Sequence, residues 1–211
     1  MKILALDTAA SWCSVAVYDS DGDLVLADVS ENIGKGHAEV LMTYVERALT
    51  EAKLSLSDMD RVAVNIGPGS FTGVRIGVSA ARGFALALGV PALGITAFEA
   101  LAAESRLTTP EKPVLVLLDA HRGEIYAQSF DAKGLPGDKP LVLSREEAEA
   151  LAASQAENTV LAGSASVSIK ETVGGVSRSA RQSRPRQSAF MRVSLARASR
   201  GCAEAALHAR A

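Results

Sequence analysis

Apolar and polar positions fall along this chain in blocks whose period changes several times. Ile3–Leu6 is a short apolar run ending in Asp7. Ser14–Tyr18 and Leu24–Val29 follow as β-rich runs, with Asp21-Gly22 as the hairpin turn between them. His37–Lys53 shifts to helical spacing: Val40, Leu41, Tyr44, Val45, Ala48 and Leu49 share an apolar face, with Glu39, Glu46, Arg47 and Lys53 outside it. Arg61–Ile66 reads as a buried strand, and a glycine-rich loop leads from it into a helix ending near Leu88-Gly89. Pro91–Ile95 is a short strand, and Thr96 is placed to cap a helix running to Glu104.

The second half restarts the first. Val114–Asp119 is again an apolar run ending in Asp, and Glu124–Phe130 again alternates. Asp7 and Asp19 fall on Asp119 and Asp131 with one common offset of 112. Leu141–Leu143, a helix through Glu146–Ala153, and Thr159–Leu161 continue the parallel. Either an ancestral unit was duplicated, or two β-hairpins simply share a general likeness. A β-β-β-α-β-α unit used twice is how actin-like folds are built, each copy ribonuclease-H-like, so the expected fold class is α/β with that duplication. The expected divisions are 1–108, then 109–171 as a smaller or truncated copy, then a tail, 172–211.

Composition changes the picture mainly at that tail. Its eight Arg, absent Lys and single acid (Glu204) give it +7, against −9 for the preceding residues. Ser and Arg are scattered without period through Gly174–Arg200, and such composition offers little apolar area to repay ordering. A basic RNA-binding arm is one reading; a shifted reading frame of a GC-rich gene, which yields acid-poor Arg/Ser/Ala-rich translation, is the one favoured. The tail is therefore expected to be irregular or non-native. No apolar run is expected to reach the ~18–20 residues of a membrane span. The opening residues lack signal-peptide character, and Cys13 and Cys202 lie too far apart for a metal motif, so a cytoplasmic location is expected.

The most informative segment is Gly67-Pro68-Gly69-Ser70-Phe71-Thr72-Gly73-Val74-Arg75-Ile76-Gly77. A strand end, a tight glycine turn and a helix start capped by Ser70 or Thr72 can hold an anion, because backbone N–H groups and the helix dipole converge there. It is not a P-loop, since Val74-Arg75 stand where Lys and Ser/Thr are required. Asp7, Thr8, Gly69 and Ser70 are the candidate nucleotide or anion residues, although Ala9-Ala10 replaces the glycine turn of such corners and a cap or brace for the strand end is the favoured role of Asp7. Along the helix, Gly73, Gly77, Ala81 and Ala85 recur every four residues and form a smooth stripe open to close backbone approach. Val74, Val78 and Leu88 add apolar bulk, with only Arg75 and Arg82 charged. Two readings stand: a helix buried in its own core, or one packed against a partner helix.

Gly67–Gly77, Asp119-Ala120-His121-Arg122-Gly123-Glu124-Ile125-Tyr126 and the opening Leu4-Ala5-Leu6-Asp7-Thr8-Ala9 closely resemble the TsaB (YeaZ) family, and the resemblance runs from Met1 to about Gly163. It implies an actin-like (ASKHA) fold and a supporting role in synthesis of the tRNA modification threonylcarbamoyladenosine. It further implies a TsaD-type catalytic paralogue as partner, a TsaE-type ATPase in the assembly, a homodimer when alone, and tRNA contact only through the complex. By position the pairing helices are His37–Lys53 and Thr72–Leu88. The interface residues on this reading are Val40, Tyr44, Gly73, Val74, Arg75, Gly77, Val78, Ala81 and Ala85. ATP is expected in the complex at most, without turnover by this chain. The paralogue's His-x-x-x-His metal pair aligns with Ala97 and Leu101, which cannot ligate, so neither a metal nor a catalytic residue is expected.

The competing hypothesis is a stand-alone actin-like ATPase or phosphotransferase using Asp7 and the Gly67 loop. A third is tRNA binding through the arginine tail. His37 and Glu39 open a helix, where a structural role suffices. Asp119, His121, Arg122 and Glu124 are explained equally by a cleft lining or a salt-bridged hairpin. No Ser-His-Asp arrangement has the context it needs. The family's usual C-terminal strand end is missing after Gly163, so the second copy is expected to lack its closing helix.

Overall fold

A computed structural model describes residues 1–120, 123–173 and 180–181. His121, Arg122, Cys202 and most of the basic tail lie outside those residues. The chain divides into two compact units at Ala97/Phe98.

In the first unit, strands β1 (Lys2–Asp7), β2 (Trp12–Asp19) and β3 (Leu24–Asn32) form an antiparallel meander. Helix α1 (His37–Ala52) then leads to β4 (Arg61–Asn65), α2 (Phe71–Leu88) and β5 (Ala92–Ile95). The sheet order is β3-β2-β1-β4-β5, with β4 parallel to both β1 and β5. Crossovers between parallel strands need a helix, and α1 and α2 supply them. Both lie on one face, where Leu4, Leu6, Val15, Val17, Val62 and Val64 meet Leu41, Tyr44, Val45, Ala48 and Ala81. Ile3, Ala5, Ala16 and Ala63, at the alternate positions, are also fully buried. That two-sided burial is why these strands read as unbroken apolar runs.

Helix ends follow local chemistry. Ser70 caps α2, its hydroxyl accepting the Gly73 N–H at 3.2 Å, and Gly89 closes it in the left-handed region at φ 68°, donating to the Ala85 carbonyl. By length and composition alone α2 would qualify as a membrane span, which the charge pattern did not lead one to expect. Its inner side, at Gly73, Gly77 and Ala81, packs on β1 and β4, and the rest of the helix is partly or fully exposed.

In the second unit, β6 (Val114–Asp119) pairs with β7 (Glu124–Phe130), β7 with β8 (Leu141–Ser144), and β6 also with β9 (Val160–Ala162). A two-residue strand, β10 (Ala180–Arg181), runs parallel to β9, giving the order β10-β9-β6-β7-β8. Read from the other edge this is the order of the first unit. β6 and β7 begin 112 residues after β1 and β2, the offset the aspartates display. Helices α4 (Arg145–Ser154) and α5 (Ser166–Val173) cover one face around Leu115, Leu117, Ile125, Leu161 and Ile169.

Two expectations change. The unit boundary lies at the first residue of α3 (Ala97–Thr108), not after residue 108, because Phe98, Leu101 and Ala102 pack on Val114, Val116, Phe130 and Val160 of the second sheet. The second unit also has a helix after β9, in the place of α2. This α5 is only 8 residues long, but Ile169 is fully buried and its start is held by Ser166, whose hydroxyl donates to the Gly163 carbonyl at 2.7 Å.

Candidate functional site

The end of β1 meets the start of α2. The Asp7 carboxylate accepts the Ala9 N–H at 2.9 Å, which folds the chain into a turn. From that turn the Thr8 hydroxyl donates to the Gly73 carbonyl at 2.7 Å, and the Ala9 carbonyl accepts the Ser70 N–H, also at 2.7 Å. Asp7, Thr8, Gly69 and Ser70 are thus brought to one corner, where the Thr8 hydroxyl bonds Gly73 and one Asp7 oxygen bonds the Ala9 N–H. The Ser70 N–H, an amide at the helix start that could face an anion, is bonded to Ala9, and the Ser70 hydroxyl is occupied by the Gly73 N–H. The geometry is a packing joint between strand and helix.

The small-residue stripe closes this joint. A Cβ at Gly69 would overlap the Ala9 carbonyl, and one at Gly73 would overlap the Thr8 carbonyl. At Gly77 it would come within 2.6 Å of Thr8 Oγ1 and 3.3 Å of Val64 Cγ2. Ala81 is fully buried in the same core. Gly73, Gly77 and Ala81 therefore face their own sheet, and Ala85 is half-buried. They are not available for a partner helix: the close backbone approach that the stripe implies is made by Thr8 and Ala9.

The opposite face of α2 is the exposed one. Phe71 is 70% exposed and Leu86 85%, with Thr72, Arg75, Ser79, Arg82 and Gly83 exposed between them. The Arg75 guanidinium lies 3.8 Å from the centre of the Phe71 ring, a cation–π stack at the surface. Of the remaining interface candidates, Val40 and Val78 are half-buried against the core, Val74 is half-buried, and Tyr44 is buried. Sequence reasoning missed Phe71 and Leu86. Their signal was there, since both lie on the side of the helix opposite the glycines.

On α1 the exposed positions are Ala38, Glu39, Met42, Thr43, Glu46, Arg47, Thr50 and Glu51. The helix is tied to β3 by Glu31, which accepts from the Tyr44 hydroxyl at 2.9 Å and from Arg47 at 2.8 Å. These two bonds, Arg47 first, hold the Glu31 carboxyl below its ordinary value. His37 is buried with Nε2 3.2 Å from the Trp12 carbonyl, which suits a structural role. Cys13 is fully buried, and burial together with the Asp7 and Glu31 charges pushes its thiol up to about 11.

Ala97 and Leu101 are buried apolar side chains. Among the described residues no cluster of His, Cys, Asp or Glu is arranged to hold a metal ion. Asp119 and Glu124 end and begin the β6–β7 hairpin, whose Ala120 N–H donates to the Glu124 carbonyl at 3.0 Å. The His121 and Arg122 members of that cluster fall outside the described residues.

Two units of identical strand order, each with three antiparallel strands followed by helix-linked parallel ones, define the actin-like (ASKHA) class, a duplicated ribonuclease-H-like α/β fold. A family model described as TsaD, tRNA N6-adenosine threonylcarbamoyltransferase, matches residues 27–138, more than half of the chain. The TsaB protein of Buchnera aphidicola, named a tRNA threonylcarbamoyladenosine biosynthesis protein, is 37% identical over 59% of this chain. The Escherichia coli protein of the same name is 36% identical over 60%. The chain spans 58% and 53% of those two proteins, little more than half their length. The crystal structure of YeaZ from Pseudomonas aeruginosa superposes with a TM-score of 0.81 at 26% identity, covering 95% of each chain. A second Pseudomonas aeruginosa structure, of an uncharacterized protein similar to peptidase YeaZ, gives 0.81 at 28% identity. The chain belongs to the family that the TsaD model describes and, within it, to the TsaB (YeaZ) family.

Proposed function

We propose that this chain is a non-catalytic scaffold subunit that supports a TsaD-type transferase in the threonylcarbamoyladenosine modification of tRNA. The observation that carries the reading is the outward face of α2. An 18-residue helix that exposes Phe71 and Leu86 to water, with Arg75 and Arg82 between them and no acid, has the composition of an interface core. Beside it α1 presents Met42 with Glu39 and Glu46 on the neighbouring turns, and Arg47 next to Glu46. A partner offering the same two-helix surface would match basic against acidic helix, as a paralogue or a second copy can.

The joint at Thr8–Ala9 supports the non-catalytic part, because the Thr8 hydroxyl and the Ser70 N–H and hydroxyl are taken up by hydrogen bonds within the protein. The names of the curated TsaB relatives supply the pathway. On this reading the chain works in the cytoplasm, forms a homodimer when alone, joins a TsaE-type ATPase in the full assembly, and reaches tRNA only through the complex.

The test is co-expression with the TsaD-type paralogue from the same genome. Wild-type chain is expected to co-elute with it on size-exclusion chromatography and to be required for threonylcarbamoyladenosine formation on tRNA. ATP hydrolysis by the isolated chain that disappears in Asp7→Ala would overturn the scaffold reading in favour of a stand-alone ATPase.

A further inference from the structure

The corner between β1 and α2 lies on the side of the first helical turn opposite Phe71 and Arg75. Thr8 is 1% exposed, and its hydroxyl donates to a carbonyl inside α2. An α-helical carbonyl has a second lone pair beyond the one used by its own helix, so this bond adds to the ladder without breaking it. Together with the Ser70 N–H bond to the Ala9 carbonyl, it fastens the first turn of α2 to the end of β1 at two points three residues apart. Helix ends otherwise fray, because their first N–H groups lack partners within the helix. Here that first turn carries Phe71 and Arg75 on its outer side, stacked on each other and facing water.

We infer that Thr8 is a positioning residue for partner binding: its buried hydroxyl latches the first turn of α2 and so fixes where the Phe71–Arg75 pair projects. Gly73 and Gly77 belong to the same device, since a side chain at either would drive the helix away from Thr8. The inference rests on the scaffold reading above, and it assigns to Thr8 a mechanical role where the sequence suggested a ligand contact.

The experiment compares wild type, Thr8→Val and Thr8→Ser. Each is titrated with the TsaD-type paralogue by calorimetry, and amide exchange is followed across residues 70–75. Loss of one buried hydrogen bond is expected to weaken Thr8→Val binding about tenfold and to speed exchange in that turn. Thr8→Ser, which keeps the hydroxyl, is expected to bind as wild type does. In a Phe71→Ala/Arg75→Ala background Thr8→Val is expected to cost nothing further, because the groups it positions are gone. If circular dichroism shows Thr8→Val unfolded, Thr8→Ala removes the same hydroxyl without setting a methyl against the Gly73 carbonyl. Equal affinity of folded Thr8→Val and wild type, or fully additive losses in the double background, would overturn the latch alone. A wild-type chain that does not bind the paralogue would overturn the scaffold reading and the latch with it.

Discussion

Gly69, Gly73 and Gly77 each turn a bare Cα toward the Thr8–Ala9 turn, while Gly83, on the same helix as the last two, has nothing within 4 Å of a built Cβ. The same substitution therefore has opposite signs at two sites. Gly73→Ala gains helix propensity but presses a methyl into the Thr8 backbone carbonyl, which cannot swing aside. Overpacking of about 1–3 kcal/mol exceeds a propensity gain of about 1 kcal/mol, so its thermal midpoint is expected to fall. Gly83→Ala takes only the gain and is expected to rise by about 0.5–1 kcal/mol. Calorimetric melting of the pair checks both, and a Gly73→Ala variant as stable as wild type would contradict the close approach. Cys13 yields a second test. A fully buried thiol pushed up to about 11 is almost wholly protonated near neutrality, so native alkylation is expected to spare it. Peptide mapping that finds Cys13 labelled before denaturant is added would speak against its burial.

Helix α2 is held on one side and open on the other, and the two sides respond differently to change. Leu86→Arg and Phe71→Ala alter exposed positions, so stability is expected to stay within about 0.5 kcal/mol. Complex formation with the TsaD-type paralogue is expected to weaken measurably in both. Pull-down beside urea unfolding separates the effects; an intact complex in both variants would remove this face from the interface. Gly77→Leu and Ala81→Arg, which the stripe alone would suggest as interface probes, act on the core and are expected to unfold the unit. Helix α1 has a pH signature through Glu31. Its folded carboxyl sits below the ordinary value of 4.5, so the bonds to Arg47 and Tyr44 stabilise α1 above that value. The contribution is lost as pH falls through the folded value. Urea midpoints are expected to drop more steeply on acidification in wild type than in Glu31→Gln, and parallel curves would refute the linkage.

Each of the two sheets has its first strand at the centre, β1 in one and β6 in the other, flanked on both sides by paired strands. Amide exchange is therefore expected to be slowest in β1 and β6 and faster in the edge strands β3, β5 and β8. Uniform protection across a sheet would contradict that order. The duplication behind it was legible early. Apolar runs ending in Asp7 and Asp119, with one offset shared by two aspartate pairs, came through because strand period and turn chemistry act over a few residues. The unit boundary was not legible. The side chains of Phe98, Leu101 and Ala102 could have served either unit by pattern, and only their packing on Val114 and Val116 assigns them.

The same division holds at the corner between β1 and α2. Local chemistry was sufficient for the helix: Ser70 as its cap, Gly89 as its stop, the four-residue recurrence of small side chains, and the missing P-loop lysine that argues against phosphate chemistry. Each depends on neighbours within one or two turns. Which backbone fills the smooth stripe does not. A row without side chains admits any close neighbour, from the same chain or another, and helical period carries no information about which arrives. The hydrogen bond that decides it joins Thr8 to Gly73, 65 residues apart in sequence, so only the folded chain could turn the glycines inward and leave Phe71, Arg75 and Leu86 facing water.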